Sequence, residues 1–199
     1  MKKKALLAGM LAVVMLLACA GCQREIPRDE KEVVSRQGLW PGYTFEEAVA
    51  EAETIVYGKA VSKSGIMEHE ISLNPERSDK EYYCEVYLKP IELLKGEENE
   101  DGTVTVLDFE VETDTHIYDK PGVDPVELEK EYIFFLNEHG SSLNPQMMIP
   151  VEDGMMKTAI LPEKEDSDGK SKNAEAEEET TQVKEVAVEE YIAMIEEAM

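Results

Sequence analysis

The sequence predicts a mainly β domain, a small barrel or sandwich with a short helix docked before the strands and a second helix docked after them. Three observations predict it. Between residues 54 and 161, runs rich in β-branched and aromatic residues recur at fairly regular spacing, with Gly, Pro, Asn and Asp between them. Within several of these runs apolar and polar residues alternate, the period of a half-buried strand. Helical stripes stand at the two ends, at 45–52 and 188–199.

The chain opens MKKKALLAGMLAVVMLLACAGC. Lys2 to Lys4 precede an apolar run from Ala5 to Ala18. A basic start and a short apolar core form the pattern of a secretory signal. The run is too short to span a bilayer, which takes about 20 apolar residues. An ordinary core helix would carry polar residues on one face, and this run has none. Its end resembles the lipobox of bacterial lipoproteins: Leu, a small or aliphatic residue, Gly or Ala, then Cys. Cys19 follows Leu16-Leu17-Ala18, and Cys22 follows Cys19-Ala20-Gly21. Cys19 has the leucine three residues back and is favoured, while Cys22 has the smaller neighbours. The resemblance implies that one of them takes a diacylglycerol on its sulfur and becomes the first residue after cleavage. Residues 1–18 are then removed, or 1–21 if Cys22 is the lipid site. Acyl chains contribute about 0.8 kcal/mol per buried methylene, and two of them anchor stably. The implied location is the outer, extracytoplasmic face of the cell membrane.

Residues 1–18 hold three lysines and no acids, so their removal takes the net charge from −24 to −27. That excludes a nucleic-acid partner, which needs a basic face to displace counterions. Cys84 is the only cysteine outside LLACAGC, so there is no disulfide framework. In EYYCEVYLK, alternation puts Tyr82, Cys84, Val86 and Leu88 on one strand face, which makes Cys84 a buried, inert thiol.

Residues 19–40 include QREIPRDEKEVVSRQGLW, charged and without periodicity, and read as a flexible tether. The domain follows at 41–161. Thr44 is a good N-cap and Glu47 completes a capping box. Phe45, Ala48, Val49 and Ala52 form one helical stripe. TIVYGKAVSK, 54–63, reads as a strand, and 64–79 as a polar loop turning at Asn74-Pro75. Residues 80–96 form a long strand in which Pro90 marks an edge or bulge. TVTVLDFEVE, 103–112, alternates, with Val104, Val106 and Asp108 in one register. KEYIFFLNE, 130–138, is apolar enough for a fully buried strand. Residues 145–161 read as a hairpin turning at Asp153-Gly154. Residues 162–182 hold eight acids and three lysines with nothing apolar beyond alanine, an acidic disordered linker. Residues 183–199 close the chain as an amphipathic helix with Val188, Tyr191, Ile192, Ile195 and Met199 on its stripe.

The order of these segments resembles an extracytoplasmic OB-like β-barrel domain shared with tissue inhibitors of metalloproteinases. The matching pieces are Ile55-Val56-Tyr57-Gly58-Lys59, Leu93-Leu94-Lys95-Gly96 and Glu131-Tyr132-Ile133-Phe134-Phe135-Leu136. They span residues 44–160. The resemblance implies a small barrel, and Gly58 sits mid-strand, where a barrel bends or a bulge forms. It does not carry the inhibitory activity, which uses a disulfide-bonded N-terminal cysteine with no counterpart here. Fold likeness is in any case weak warrant for function.

No pattern of catalytic or metal-binding residues stands out. His69, His116 and His139 lie 47 and 23 residues apart, far from the close ligand pairs of zinc sites. DSDG at 166–169 with Glu175 echoes a calcium loop, but position 1 would be Lys164 and position 8 Ser171. The expectation is a non-enzymatic binding or accessory lipoprotein without a cofactor, held to the membrane by its diacylglycerol and meeting an envelope protein through the barrel face or the acidic tail. A cation or small-ligand binder, a structural spacer and an enzyme remain as alternatives.

Overall fold

A computed structural model of the chain describes residues 26–35, 40–74, 77–119, 123–162 and 183–199. Cys19, Cys22 and the calcium-like stretch around Asp166, Gly169 and Glu175 lie outside the described residues. Thr44 caps helix α1 (Phe45–Glu51) with the expected box: its hydroxyl accepts from Glu47 N at 3.2 Å, and Glu47 Oε2 accepts from Thr44 N at 2.9 Å. The stripe Phe45, Ala48, Val49 and Ala52 is buried throughout.

Among the described residues eleven strands follow or flank it: β1 (Glu32–Ser35), β2 (Thr54–Lys63), β3 (Met67–Asn74), β4 (Arg77–Lys95), β5 (Val104–Asp108), β6 (Val111–Glu112), β7 (His116–Asp119), β8 (Glu131–Leu136), β9 (Met148–Glu152), β10 (Met155–Thr158) and β11 (Lys184–Ala187). Helix α2 (Val188–Ala198) ends the chain. The fold is mainly β with these two helices. The larger sheet runs β11-β10-β9-β8-β2-β4-β3, with β5 also on β4, and a small sheet runs β1-β7-β6. Among the described residues the larger sheet is open, and its ends β3 and β11 do not pair, so it closes no barrel.

Strands β2 and β8 sit at the centre with both faces covered. Ile55, Ile133 and Phe135 join α1, α2, β9 and β10 in one core, while Val56, Ala60, Phe134 and Leu136 join β4, β5 and Val111 in a second. A strand buried on both sides needs no polar alternation, which is why EYIFFL is almost continuously apolar. Gly58 lies opposite Pro90 at a register shift. Proline cannot donate to the ladder, and a Cβ on Gly58 would come to 3.0 Å from Lys89 O, so both residues suit this irregular point in the pairing.

Several segments differ from the sequence reading: the strand expected over 103–112 divides into β5 and β6, which join different sheets, and Pro145–Met147 of the expected hairpin form a 3-10 turn. Within the predicted loop 64–79, β3 spans Met67–Asn74 and β4 begins at Arg77. Glu68, His69 and Glu70 are all exposed, so neither face of the strand is buried at these three positions and no hydrophobic period marks them. Within the predicted tether, Arg28–Glu30 form a 3-10 turn and β1 pairs in parallel with β7. Main-chain pairing needs no apolar pattern, so the sequence carried no sign of it. Residues 184–187 of the predicted C-terminal helix form β11, in register with β10 from Met155↔Ala187 to Thr158↔Lys184. The helix proper docks on its own domain through Val188, Tyr191, Ile192 and Ile195, whereas Met199 is exposed.

Candidate functional site

In β5, Val104, Val106 and Asp108 all point inward, and Asp108 is only 3% exposed. A carboxylate at that depth is tolerated only when paired and hydrogen-bonded. Lys63 Nζ lies 2.7 Å from its Oδ2. Val126 N donates to the same oxygen at 3.2 Å, and Glu110 N donates to Oδ1 at 3.0 Å. Three of the roughly four acceptor positions of a carboxylate are thus filled. The sequence supplies this by register. Lys63 stands opposite Val86, and Cys84 stands opposite Asp108, so β4 carries the pair between β2 and β5.

Cys84 is buried beside this pair and free. Burial raises its thiol pKa first, the Asp108 charge adds to that, and Lys63 partly opposes it. A protonated, enclosed thiol is unreactive, as the strand alternation implied.

A cavity of about 360 Å³ opens over Asp108. Trp40 and Pro41 line it from before α1, Phe109 and Val126 from beside β5, and Leu143 and Pro145 from the loop after β8. Its walls are pinned before any ligand arrives. Leu107 N donates to Gly140 O at 2.9 Å and ties β5 to that loop. Asn144 is buried; its Oδ1 accepts from Gln146 N at 2.8 Å, and its Nδ2 donates to Pro41 O at 3.3 Å. Asn137 Oδ1 accepts from His139 N and Ser141 N at 2.9 and 3.1 Å, fixing the turn between the walls. A preformed, mainly apolar cleft with a few fixed polar groups is the usual form of a binding site.

The chain matches no protein-family model and no curated protein sequence.

The histidines stand apart from the cleft's chemistry. His69 is exposed within β3, rather than in a loop, and pairs with Glu81. His116 on β7 lies 3.5 Å from Glu32 and 2.7 Å from Thr115 Oγ1. His139 is exposed beside Glu138. Among the described residues no three His, Cys, Asp or Glu side chains gather to hold a metal. The sequence reading missed Trp40 and Asn144, which line the cleft from separate segments, and Lys63, which holds the Asp108 carboxylate. One signal was present: Asp108 keeps the inward register of Val104 and Val106.

Proposed function

We propose that this protein is an exported lipoprotein, held on the outer face of the membrane by a diacylglycerol on Cys19 or Cys22, and that its domain is a non-enzymatic binding or accessory module for an envelope protein. The basic and apolar N-terminus ending in LLACAGC supports the anchor. The cleft carries the binding role. Its walls offer apolar surface and shape, and its one deeply buried carboxylate is already engaged by an ammonium and two amides. Such a surface recognises a partner better than it moves a proton. The acidic tail is a second contact surface on this reading.

The finer fold reading also belongs here. The antiparallel run β5-β4-β2-β8-β9 is taken as an OB-like barrel left partly open, with the cleft at the opening between β5 and the β8–β9 side. The hydrogen bond from Leu107 to Gly140 across that gap supports it. The cleft volume also lies within the small-molecule range of about 300–1,000 Å³, which favours a small ligand as second reading.

The test is crosslinking on intact cells with a photoreactive residue at Trp40 in the cleft wall or at Val61 on the exposed side of β2, read by mass spectrometry, with and without the acidic tail. One reproducible envelope-protein adduct from position 40 and none from 61 is expected. No adduct at 40, with a saturable thermal shift by one small molecule, would replace the partner with a ligand. Lipid labelling of Cys19→Ala and Cys22→Ala tests the anchor. Loss in the first alone is expected, loss in the second alone moves the site to Cys22, and an unlabelled wild type removes the anchor.

A further inference from the structure

We infer that residues 26–35 form a docked collar that holds the domain close to the lipid, with the β1-β7-β6 sheet as its membrane-facing side. The inference rests on the lipid-anchor reading and adds an orientation to it.

The collar is built into the fold. β1 pairs with β7 over Glu32↔His116, Val33↔Ile117, Val34↔Tyr118 and Ser35↔Asp119. Glu32 N donates to Thr115 O at 3.1 Å just before that ladder. Lys31 is the firmest hold: its side chain is 12% exposed, and its Nζ donates to Glu112 Oε1 at 2.8 Å and to Thr113 O at 2.7 Å. That hydrogen bond holds the Glu112 carboxyl below its ordinary range. β7 is tied to the main sheet in turn, with the Tyr118 and Tyr82 rings 4.6 Å apart.

The consequence is one of reach. Pro27, where the turn begins, lies eight positions after Cys19 and five after Cys22. At up to 3.6 Å per residue these spans reach at most about 29 and 18 Å. A free tether running to Trp40 could extend to more than twice that. A domain of this size is about 40 Å across. A link shorter than the domain's own width prevents the domain from turning its attachment point to the side away from the bilayer.

Charge sets how close that placement can bring the domain. Residues 23–40 hold four cations and four acids, so all of the mature −27 lies beyond them. Within the collar itself, 26–35, two cations stand against three acids, and Glu112, Asp114 and Asp119 add three more acids on the β6–β7 side, so the placement requires a stand-off from an anionic leaflet. A stand-off greater than the ~8 Å screening length spares the acidic domain most of the repulsion of an anionic leaflet. Ile26 and Val33 are exposed on the collar, at 38% and 58%.

The test uses the full lipidated chain in phosphatidylcholine vesicles carrying a headgroup-linked energy acceptor. A fluorescent amino acid is placed at Asp114, in the turn between β6 and β7, or at Glu197 on α2. Transfer from 114 is expected to exceed that from 197 several-fold. Val34→Pro, which breaks the β1–β7 ladder, is expected to bring the ratio toward one. A Gly/Ser spacer of about twenty residues between Gln23 and Arg24 should do the same without touching the fold, at about 25 Å of added reach. Equal transfer in the unaltered protein, or a ratio that survives the spacer, overturns the inference. The N-terminal peptide mass is read first: a peptide without diacylglycerol sinks the anchor itself, whereas a lipidated protein with equal transfer sinks only the orientation.

Discussion

Lys63 and Asp108 meet across β4, with Nζ 2.7 Å from Oδ2, although one ends β2 and the other ends β5. The two partners are unequal. The Asp108 side chain is 2% exposed and also accepts from two backbone amides, whereas Lys63 is 26% exposed. Removing one member of a buried pair costs about 3–5 kcal/mol. Asp108→Ala should approach that loss, because it strands the ammonium and two amides together. Lys63→Ala should cost less, since water can reach the vacated site and the amides stay bonded. Equilibrium urea unfolding of both variants checks the order. Equal losses would place the stabilisation in the charge pair rather than in the amide contacts.

Tyr191 shows the opposite kind of buried polar group. Its ring packs edge-on against Phe45 at 5.6 Å and Phe135 at 6.5 Å, which ties α2 to α1 and β8. Its hydroxyl is buried without a well-formed hydrogen bond, although Thr158 is close enough to offset part of the burial effect on the phenol. An unsatisfied buried hydroxyl costs about 1–3 kcal/mol. Tyr191→Phe should therefore leave stability unchanged or raise it, while Tyr191→Ala should lower it by about 3–5 kcal/mol. Thermal melts of the two variants separate the ring from its hydroxyl. A clear loss in the phenylalanine variant would show that the hydroxyl is bonded in solution.

Alkaline pH should destabilise the fold through four groups. Burial is the largest cause of the raised pKa at Cys84, Tyr57, Tyr132 and Tyr191. At Tyr57 the hydrogen bond to Glu131 adds to burial, and the phenol is pushed up to about 12. In the unfolded chain the thiol titrates near 8.5 and the phenols near 10. Each group then holds its proton longer when folded. The stability it contributes is complete below its unfolded pKa and is lost as pH rises through its folded one. The melting temperature should fall above about pH 8.5, and Tyr57→Phe should flatten the part of the fall between pH 10 and about 12. An unchanged slope in that variant would show that Tyr57 is not a source of it.

The parts of this fold that were legible in the sequence are those where side chains meet a core. The Thr44–Glu47 capping box, the stripe from Phe45 to Ala52, the continuous apolar run of β8 and the irregular pairing at Gly58 and Pro90 all express burial or backbone geometry in residue type. β1, β3 and β11 were not legible as strands. Their pairing is main chain to main chain, and Glu68, His69 and Glu70 are exposed on both faces of β3. The cleft was illegible for a different reason. Trp40, Asp108 and Asn144 line it from separate parts of the chain, and Lys63 reaches Asp108 only across β4, so no local spacing announces them.

That loss of local signal bears on the acidic segment between β10 and β11. Thr158 and Lys184 are direct partners in the β10–β11 ladder, so the chain leaves the sheet at one residue and re-enters beside it. Deleting residues 163–182 leaves Ala159 to Pro162 and Val183, five residues, to join the two strands, a length that hairpins use. Closing a loop of five rather than twenty-five residues also costs less entropy, by about 1.4 kcal/mol on the ideal-chain scaling. The melting temperature should therefore stay the same or rise by a few degrees. Ile160 belongs to the core on the α2 side, so the shortened loop must keep that residue in place. A large fall in melting temperature would show either that the deleted segment packs on the domain or that Ile160 is pulled out of its site. An additional Ile160→Ala substitution separates the two: a further loss in the deleted chain means that Ile160 is still seated, which assigns the fall to the segment itself.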